Sequence, residues 1–195
     1  MKILITAPGG TIGRTIIPEL LAPEFSARVI SRNPHRLPAE IRDEVEIVRG
    51  SIDNSGALRE ALDGVDALFW CIPRAPIGET NLGAYYDRFA RAASQAIREA
   101  KTPRVVSISS SPIFALHAAE EILNDSGAAI RHLRCAWFTQ NFSVSVRALP
   151  AVTHIADLAL RFLVRTDWSG IEALSIPGPE DLSFIHSAAA VPSIF

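Results

Sequence analysis

The stretch that most limits how this chain can fold is its opening, Met1 to Arg14, which reads MKILITAPGGTIGR. Lys2 to Thr6, with Ile3, Leu4 and Ile5 uninterrupted, has the pattern of a strand buried on both faces of a parallel sheet. A glycine-containing turn follows, and Ile12, Ile16, Ile17, Leu20 and Leu21 then recur at the three-to-four spacing of one apolar helix face. Strand, glycine turn and helix together make a dinucleotide-binding entrance. Free N–H groups at the helix start, the positive end of its dipole and the missing side chain at Gly10 let a pyrophosphate lie against the backbone. The predicted contacts are Gly9, Gly10, Thr11, Ile12 and Gly13.

Small residues at three-residue intervals are Ala7, Gly10 and Gly13, so the first glycine of the fingerprint is replaced. Ala7 resists a positive φ angle, and Pro8 pushes it toward extended geometry. The turn is therefore expected to differ in detail, with Gly9 supplying the conformational freedom. An ordinary strand–helix turn without a ligand is the competing reading, because a glycine triplet alone is a weak signal.

The 195 residues, 48% of them apolar, fit one domain with a sizeable core. A net charge of -2 leaves no bulk basic surface for nucleic acid or anionic lipid. No apolar run reaches membrane-spanning length or forms a signal-peptide core. Cys71 and Cys135 both fall in strand-like runs and read as reduced core residues, which makes a cytoplasmic location the simplest. Seventeen arginines accompany only two lysines, Lys2 and Lys101. No repeat or linker suggests a second independent domain.

After the first helix, kinked at Pro18, Ala27 to Ser31 reads as a second strand. Its tip is where a dinucleotide fold meets the adenosine ribose: an acid there binds the 2′-hydroxyl of NAD, a basic residue the 2′-phosphate of NADP. This tip carries Arg32, with Arg36 one turn on. A solvated loop arginine is the alternative. Glu44 to Arg49 reads as a third strand, Ser55 to Leu62 as a helix closed by Gly64, and Asp66 to Ile72 as a fourth strand. The end of that strand brings Ile72 and Pro73 to the ligand-binding level, while Trp70 reads as core. Tyr85 to Ala100 is an amphipathic helix with Tyr86, Phe89, Ala90, Ala93, Ile97 and Ala100 on one face. Arg104 to Ser109 is a fifth strand, whose end offers the Ser109 hydroxyl to a nicotinamide or substrate; serines are also ordinary strand-end residues. His117 to Asn124 reads as a helix stopped by Ser126-Gly127, and Ala128 to Cys135 as a sixth strand. Strands alternating with helices predict an α/β, doubly wound parallel sheet of Rossmann type.

In this order the segments ILITAPGGTIGR, VISRNPHRL, VEIVRG, GVDALFW, RVVSISS and AEEILNDSGAAIRHLRCAWFTQNF resemble the NmrA-like branch of the atypical short-chain dehydrogenase/reductases. LRCAWFTQN is similar to the matching segment of the NADPH:quinone oxidoreductases of that branch. The resemblance implies NADP(H) binding, with either hydride transfer or cofactor sensing, and adds Phe138 and Asn141 as residues lining the acceptor pocket. It also shows departures. The family usually begins TGATG or TGxTG, and commonly has Asp where Ser51 stands. Beyond Asn141 it normally spends several dozen residues on a substrate-covering subdomain, where this chain has Phe142 to Ala151. A single domain is therefore expected over 1–195, with a nucleotide-binding core at 1–142 and a reduced substrate-side region at 143–195. Thr153 to Val164 reads as a helix and Glu172 to Ile176 as a strand within that region.

Most short-chain dehydrogenases protonate substrate through a Tyr aided by a Lys four residues on. Here Tyr85 and Tyr86 are followed at that offset by Phe89 and Ala90, so an unactivated ketone would lack its acid. A quinone- or enone-type acceptor takes hydride readily and asks mainly for two rings to be positioned. His117 is the candidate proton donor or polar anchor beside such a ring; a partly exposed helix histidine is the plainer reading. His132 and His154 show no metal-ligand spacing. The expectation is an NADP(H)-dependent reductase of a small-molecule acceptor. The alternative is a non-catalytic NADP(H) sensor that passes its state to a protein partner. Homo-oligomerisation is compatible with either.

Overall fold

The computed structural model describes residues 1–111, 113–135 and 150–176. Within them seven strands form one sheet: β1 (Lys2–Ile5), β2 (Ser26–Ser31), β3 (Glu46–Arg49), β4 (Ala67–Trp70), β5 (Arg104–Ser110), β6 (Ala129–Cys135) and β7 (Ile171–Ile176). Their order is β3-β2-β1-β4-β5-β6-β7 and every pairing is parallel. Parallel neighbours need crossovers, and the right-handed rule puts helices on both faces. The helices are α1 (Thr11–Ile16), α2 (Ala39–Arg42), α3 (Ser55–Ala61), α4 (Leu82–Ala100), α5 (Phe114–Asn124) and α6 (Pro150–Val164).

Strand alternation divides the core between the faces. Ile3, Ile5, Val29, Phe69, Val106 and Leu133 pack with Ile12 and Ile16 of α1 and Ile155 and Leu163 of α6. Leu4, Ile30, Leu68, Trp70, Val105 and Ile130 pack with Leu58 of α3, Phe89 and Ile97 of α4, and Leu123 of α5. Trp70 is 1% exposed, as its core reading requires.

Several boundaries move for identifiable reasons. Pro18 does not bend a continuous helix: the chain tightens after α1 into a 3-10 segment, Ile17–Leu21, with the proline in its first turn, where its missing N–H costs nothing. Helix α4 begins three residues before Tyr85 because the Asn81 carboxamide accepts from the Ala84 N–H at 2.9 Å. Strand β4 ends at Trp70, leaving Cys71 just beyond it and half-buried. A 3-10 turn over Pro34–Arg36 and the four-residue α2 occupy what reads as loop, being too short for any apolar period to show. Gly64 and Gly127 adopt positive φ at the two predicted stops.

A buried polar cluster lies between α5 and β6. Arg134 donates from Nε and Nη2 to the Glu120 carboxylate, the shortest contact being 2.5 Å. His132, 1% exposed, meets the Asn124 carboxamide at 2.8 Å through Nε2. Burial pushes the Glu120 carboxyl up, but the bonds from Arg134 and the positive charge around it bring it below its ordinary 4.5. Burial lowers His132 below its ordinary 6.5, favouring the neutral ring.

Both groups favour their deprotonated forms in the fold, so both contribute stability at neutral pH that is lost on acidification. The His132 contribution is complete above 6.5 and fades as pH falls through its lower folded value; that of Glu120 is complete above 4.5 and fades in the same way. Thermal melts are expected to show Tm dropping below pH 6.5 and again below 4.5, with His132→Gln removing the upper step. Arg134→Ala, which strands a buried carboxylate, is expected to cost about 3 kcal/mol at pH 7.

Candidate cofactor site

The sheet order reverses between β1 and β4, and in open α/β sheets ligands bind in the crevice beyond the strand ends at such a point. The β1–α1 connection forms one wall. Its Gly10 N–H donates to the Ala7 carbonyl at 3.0 Å, closing a four-residue turn with buried Pro8 in second place, a position that suits its fixed φ. No residue from Ala7 to Gly13 has positive φ, so Gly9 is not needed for left-handed freedom, contrary to the sequence expectation. The same observation explains why Ala7 is tolerated.

Gly13 answers a different demand. A β-carbon there would stand 2.2 Å from the Ala7 carbonyl oxygen and 3.2 Å from Pro8 Cα, so only glycine lets α1 start this close to the strand end. At Gly10 a β-carbon would lie 3.3 Å from the same oxygen, and Gly9 and Gly10 are exposed. Gly10 caps α1 in extended geometry with no side-chain acceptor. The amides of Thr11, Ile12 and Gly13 at the first turn are thus left to a ligand, while the Ile12 side chain belongs to the core. This donor set, with bare glycine backbone beside it, fits a diphosphate.

The opposite wall is held by a residue that sequence reading passed over. The Thr6 hydroxyl lies 3.2 Å from the Phe69 and Cys71 carbonyls and accepts from the Cys71 N–H at 2.9 Å. It fastens the end of β1 to the start of the β4–α4 segment, where Ile72 and Pro73 are half-buried. A polar β-branched residue between an apolar run and a glycine turn was the available signal. Tyr85 of α4 reaches the same segment, its hydroxyl donating to the Pro73 carbonyl at 3.3 Å, with the Arg74 carbonyl at 3.4 Å.

At the tip of β2, Arg32 and Arg36 are exposed. Gly50, after β3, is a second unpredicted close approach: a β-carbon there would come within 2.7 Å of Ala57 Cβ. The β5 end differs from expectation. Ser109 is 4% exposed, and its buried hydroxyl has no hydrogen-bond partner among the described residues. Ser110 and Ser111 stand at the edge. His117 Nε2 lies 3.0 Å from the Ser110 carbonyl, which only accepts, so Nε2 is the donor of that bond. Phe138 and Asn141 lie outside the described residues. Burial pushes the thiols of Cys71 and Cys135 up to about 11 and about 12, so neither serves as a nucleophile. Among the described residues no group of three His, Cys, Asp or Glu side chains could hold a metal, and no helix is long and apolar enough to cross a membrane.

A family model described as NAD(P)H-binding matches residues 9–157. The chain belongs to this NAD(P)H-binding family. Among curated proteins none matches it in sequence. The fold is shared with solved structures. An NADPH-dependent quinone oxidoreductase from Escherichia coli, complexed with NADPH, is 19% identical, with TM-score 0.70 over 89% of this chain and 68% of that one. A triphenylmethane reductase from Citrobacter sp., complexed with NADP(H), is 22% identical, with TM-score 0.61 over 73% of this chain; the aligned part is 52% of the reductase, so this chain spans about half of it. A Rossmann-fold NAD(P)-binding family protein from Shigella flexneri is 21% identical, with TM-score 0.72 over 94% of this chain and 98% of that one. A nicotinamide cofactor on an oxidoreductase-type fold is therefore the family setting of the crevice.

Two glycine substitutions separate packing from binding. Gly13→Ala is expected to destabilise by about 3 kcal/mol through overpacking against Ala7. Gly10→Ala is expected to leave Tm within a few degrees while weakening NADPH binding at least ~10-fold, read by melts and calorimetric titration.

Proposed function

We propose that the protein uses NADPH to reduce a quinone- or enone-type acceptor in the cytoplasm. The observation that carries this reading is Arg32, exposed at the tip of β2 where an NAD-selective site would place an acid, one turn from Arg36 and across from the open first turn of α1. Arg32 and Arg36 would hold the 2′-phosphate, the backbone from Gly9 to Gly13 the diphosphate, and Ile72 and Pro73 the flank of the cofactor on the β4 side. The chemistry that the nicotinamide supplies is hydride donation.

The acceptor class follows from what the edge carries and lacks. Tyr85 and Tyr86 have no lysine four residues on, and burial raises the Tyr85 phenol, so neither tyrosine is a ready acid at neutral pH. Phe114, the first residue of α5, is 82% exposed beside the β5 end, an apolar edge suited to a planar ring. His117, packed edge-on against Phe114 at 5.9 Å, would anchor the acceptor oxygen or pass it a proton. Phe138 and Asn141 complete the pocket on the family resemblance. The quinone oxidoreductase and the dye reductase that share the fold support the same chemistry.

The missing Tyr–Lys pair equally favours a non-catalytic reading, in which cofactor binding is reported to a protein partner. NADPH oxidation against simple quinones decides between them: turnover is expected, and its absence with tight NADP(H) binding leaves the sensor. Arg32→Glu is expected to weaken NADPH at least ~30-fold while sparing NADH, since it replaces an attraction to phosphate by a repulsion. Equal affinities of the wild type for NADPH and NADH would remove the assignment of Arg32.

A further inference from the structure

We propose that Tyr85, backed by Arg88 and Asp53, is a positioning residue that fixes the width of the crevice at its adenosine end; this rests on the cofactor reading above. The β4–α4 segment, residues 71–81, has no regular structure. It carries Pro73 and Pro76, which lack N–H groups, and turns through Gly78 at φ 93. Such a segment cannot secure itself through a backbone ladder. The Tyr85 hydroxyl supplies an anchor, 3.3 Å and 3.4 Å from the Pro73 and Arg74 carbonyls.

The ring of Tyr85 is itself held. It packs edge-on against Tyr86 at 5.3 Å and tilted against Phe89 at 5.1 Å, both of which are core residues. The Arg88 guanidinium lies 5.4 Å from the Tyr85 ring centre, and its Nε is 3.5 Å from the Asp53 carboxylate in the loop after β3. Thus Asp53, Arg88, Tyr85 and the Pro73–Arg74 backbone link the loops after β3 and β4 through the first turns of α4. The loop after β3 adjoins the tip of β2, where a dinucleotide fold meets the adenosine ribose, so the linkage closes that end of the crevice and stands apart from the β5 edge. Tyr86, 6% exposed and turned into the core, is the neighbour that merely packs.

Tyr85→Phe removes the hydroxyl and keeps the ring. Binding to the full chain would be titrated with NADPH, with 2′-phospho-ADP-ribose, which lacks nicotinamide, and with reduced nicotinamide mononucleotide, which lacks adenosine. The expected result is a loss of ~3- to 10-fold for the first two probes, the range of one hydrogen bond, and none for the third. Arg88→Gln is expected to show the same split, and the double variant to lose less than the product of the singles, because both act on one linkage. Hydrogen exchange of the free protein is expected to be faster at residues 74–81 in Tyr85→Phe. Unchanged affinities, or an equal loss for all three probes, would overturn the positioning role. Failure of the wild type to bind NADPH would instead overturn the cofactor reading, and this inference with it.

Discussion

The crevice depends on one close approach, that of Gly13 to the Ala7 carbonyl. With no β-carbon at Gly13, α1 starts directly over the end of β1, and any side chain would collide with backbone that cannot move aside. This distance sets where the first-turn amides point. It also sets the seat of α1 on the sheet, since Ile12 and Ile16 enter the same core as Ile155 and Leu163 of α6. A helix displaced outward by a methyl group would loosen that core and withdraw its amides from the strand edge together. Packing and anion binding therefore rest on the same missing atom.

The rest of the edge is assembled by single hydrogen bonds thrown between neighbouring strand ends. Thr6 ties β1 to the chain beyond β4, the Gly50 N–H donates to the Ser31 carbonyl between β2 and β3, and His117 ties α5 to the end of β5. Each bond is worth only about 1 kcal/mol net. Their importance is geometric, because they continue the ladder one or two residues past the regular strands. The loops thereby inherit the spacing of the sheet at the height where a dinucleotide lies.

The architecture was legible because β1 and β4 carry unbroken apolar runs and the long helices are periodic, and these two patterns depend on neighbouring residues alone. The helix stops at Gly64 and Gly127 were legible for the same reason. The glycine turn was legible as a place and misjudged as a conformation: spacing suggested that a lost glycine needed replacing, whereas Pro8 makes a turn in which no residue is left-handed. Thr6, Gly50 and Tyr85 escaped notice because their partners, at Cys71, Ala57 and Pro73, are neighbours in space alone. Ser109 shows the same limit from the other side. Its position at a strand end is visible in the sequence, but the face on which its hydroxyl is buried depends on pleat parity.

That inward turn bears on the chemistry. Glu120 and Arg134 bury an ion pair under the β5 edge, and burying a carboxylate requires every available donor to face it. Ser109 is buried beneath the edge, and Tyr85 is committed to backbone carbonyls. Among the described residues, the protic side chains left at the β5 edge are Ser110, Ser111 and His117. Ser111 Oγ is engaged with the Arg134 carbonyl at 3.2 Å, and His117 spends its Nε2 proton on the Ser110 carbonyl. Among the described residues this edge thus offers few free acids, which bears most on a reduction whose barrier lies in protonating oxygen. The acceptor proposed above, whose anion is already delocalised, leans least on such acids, because holding two rings face to face is most of the work.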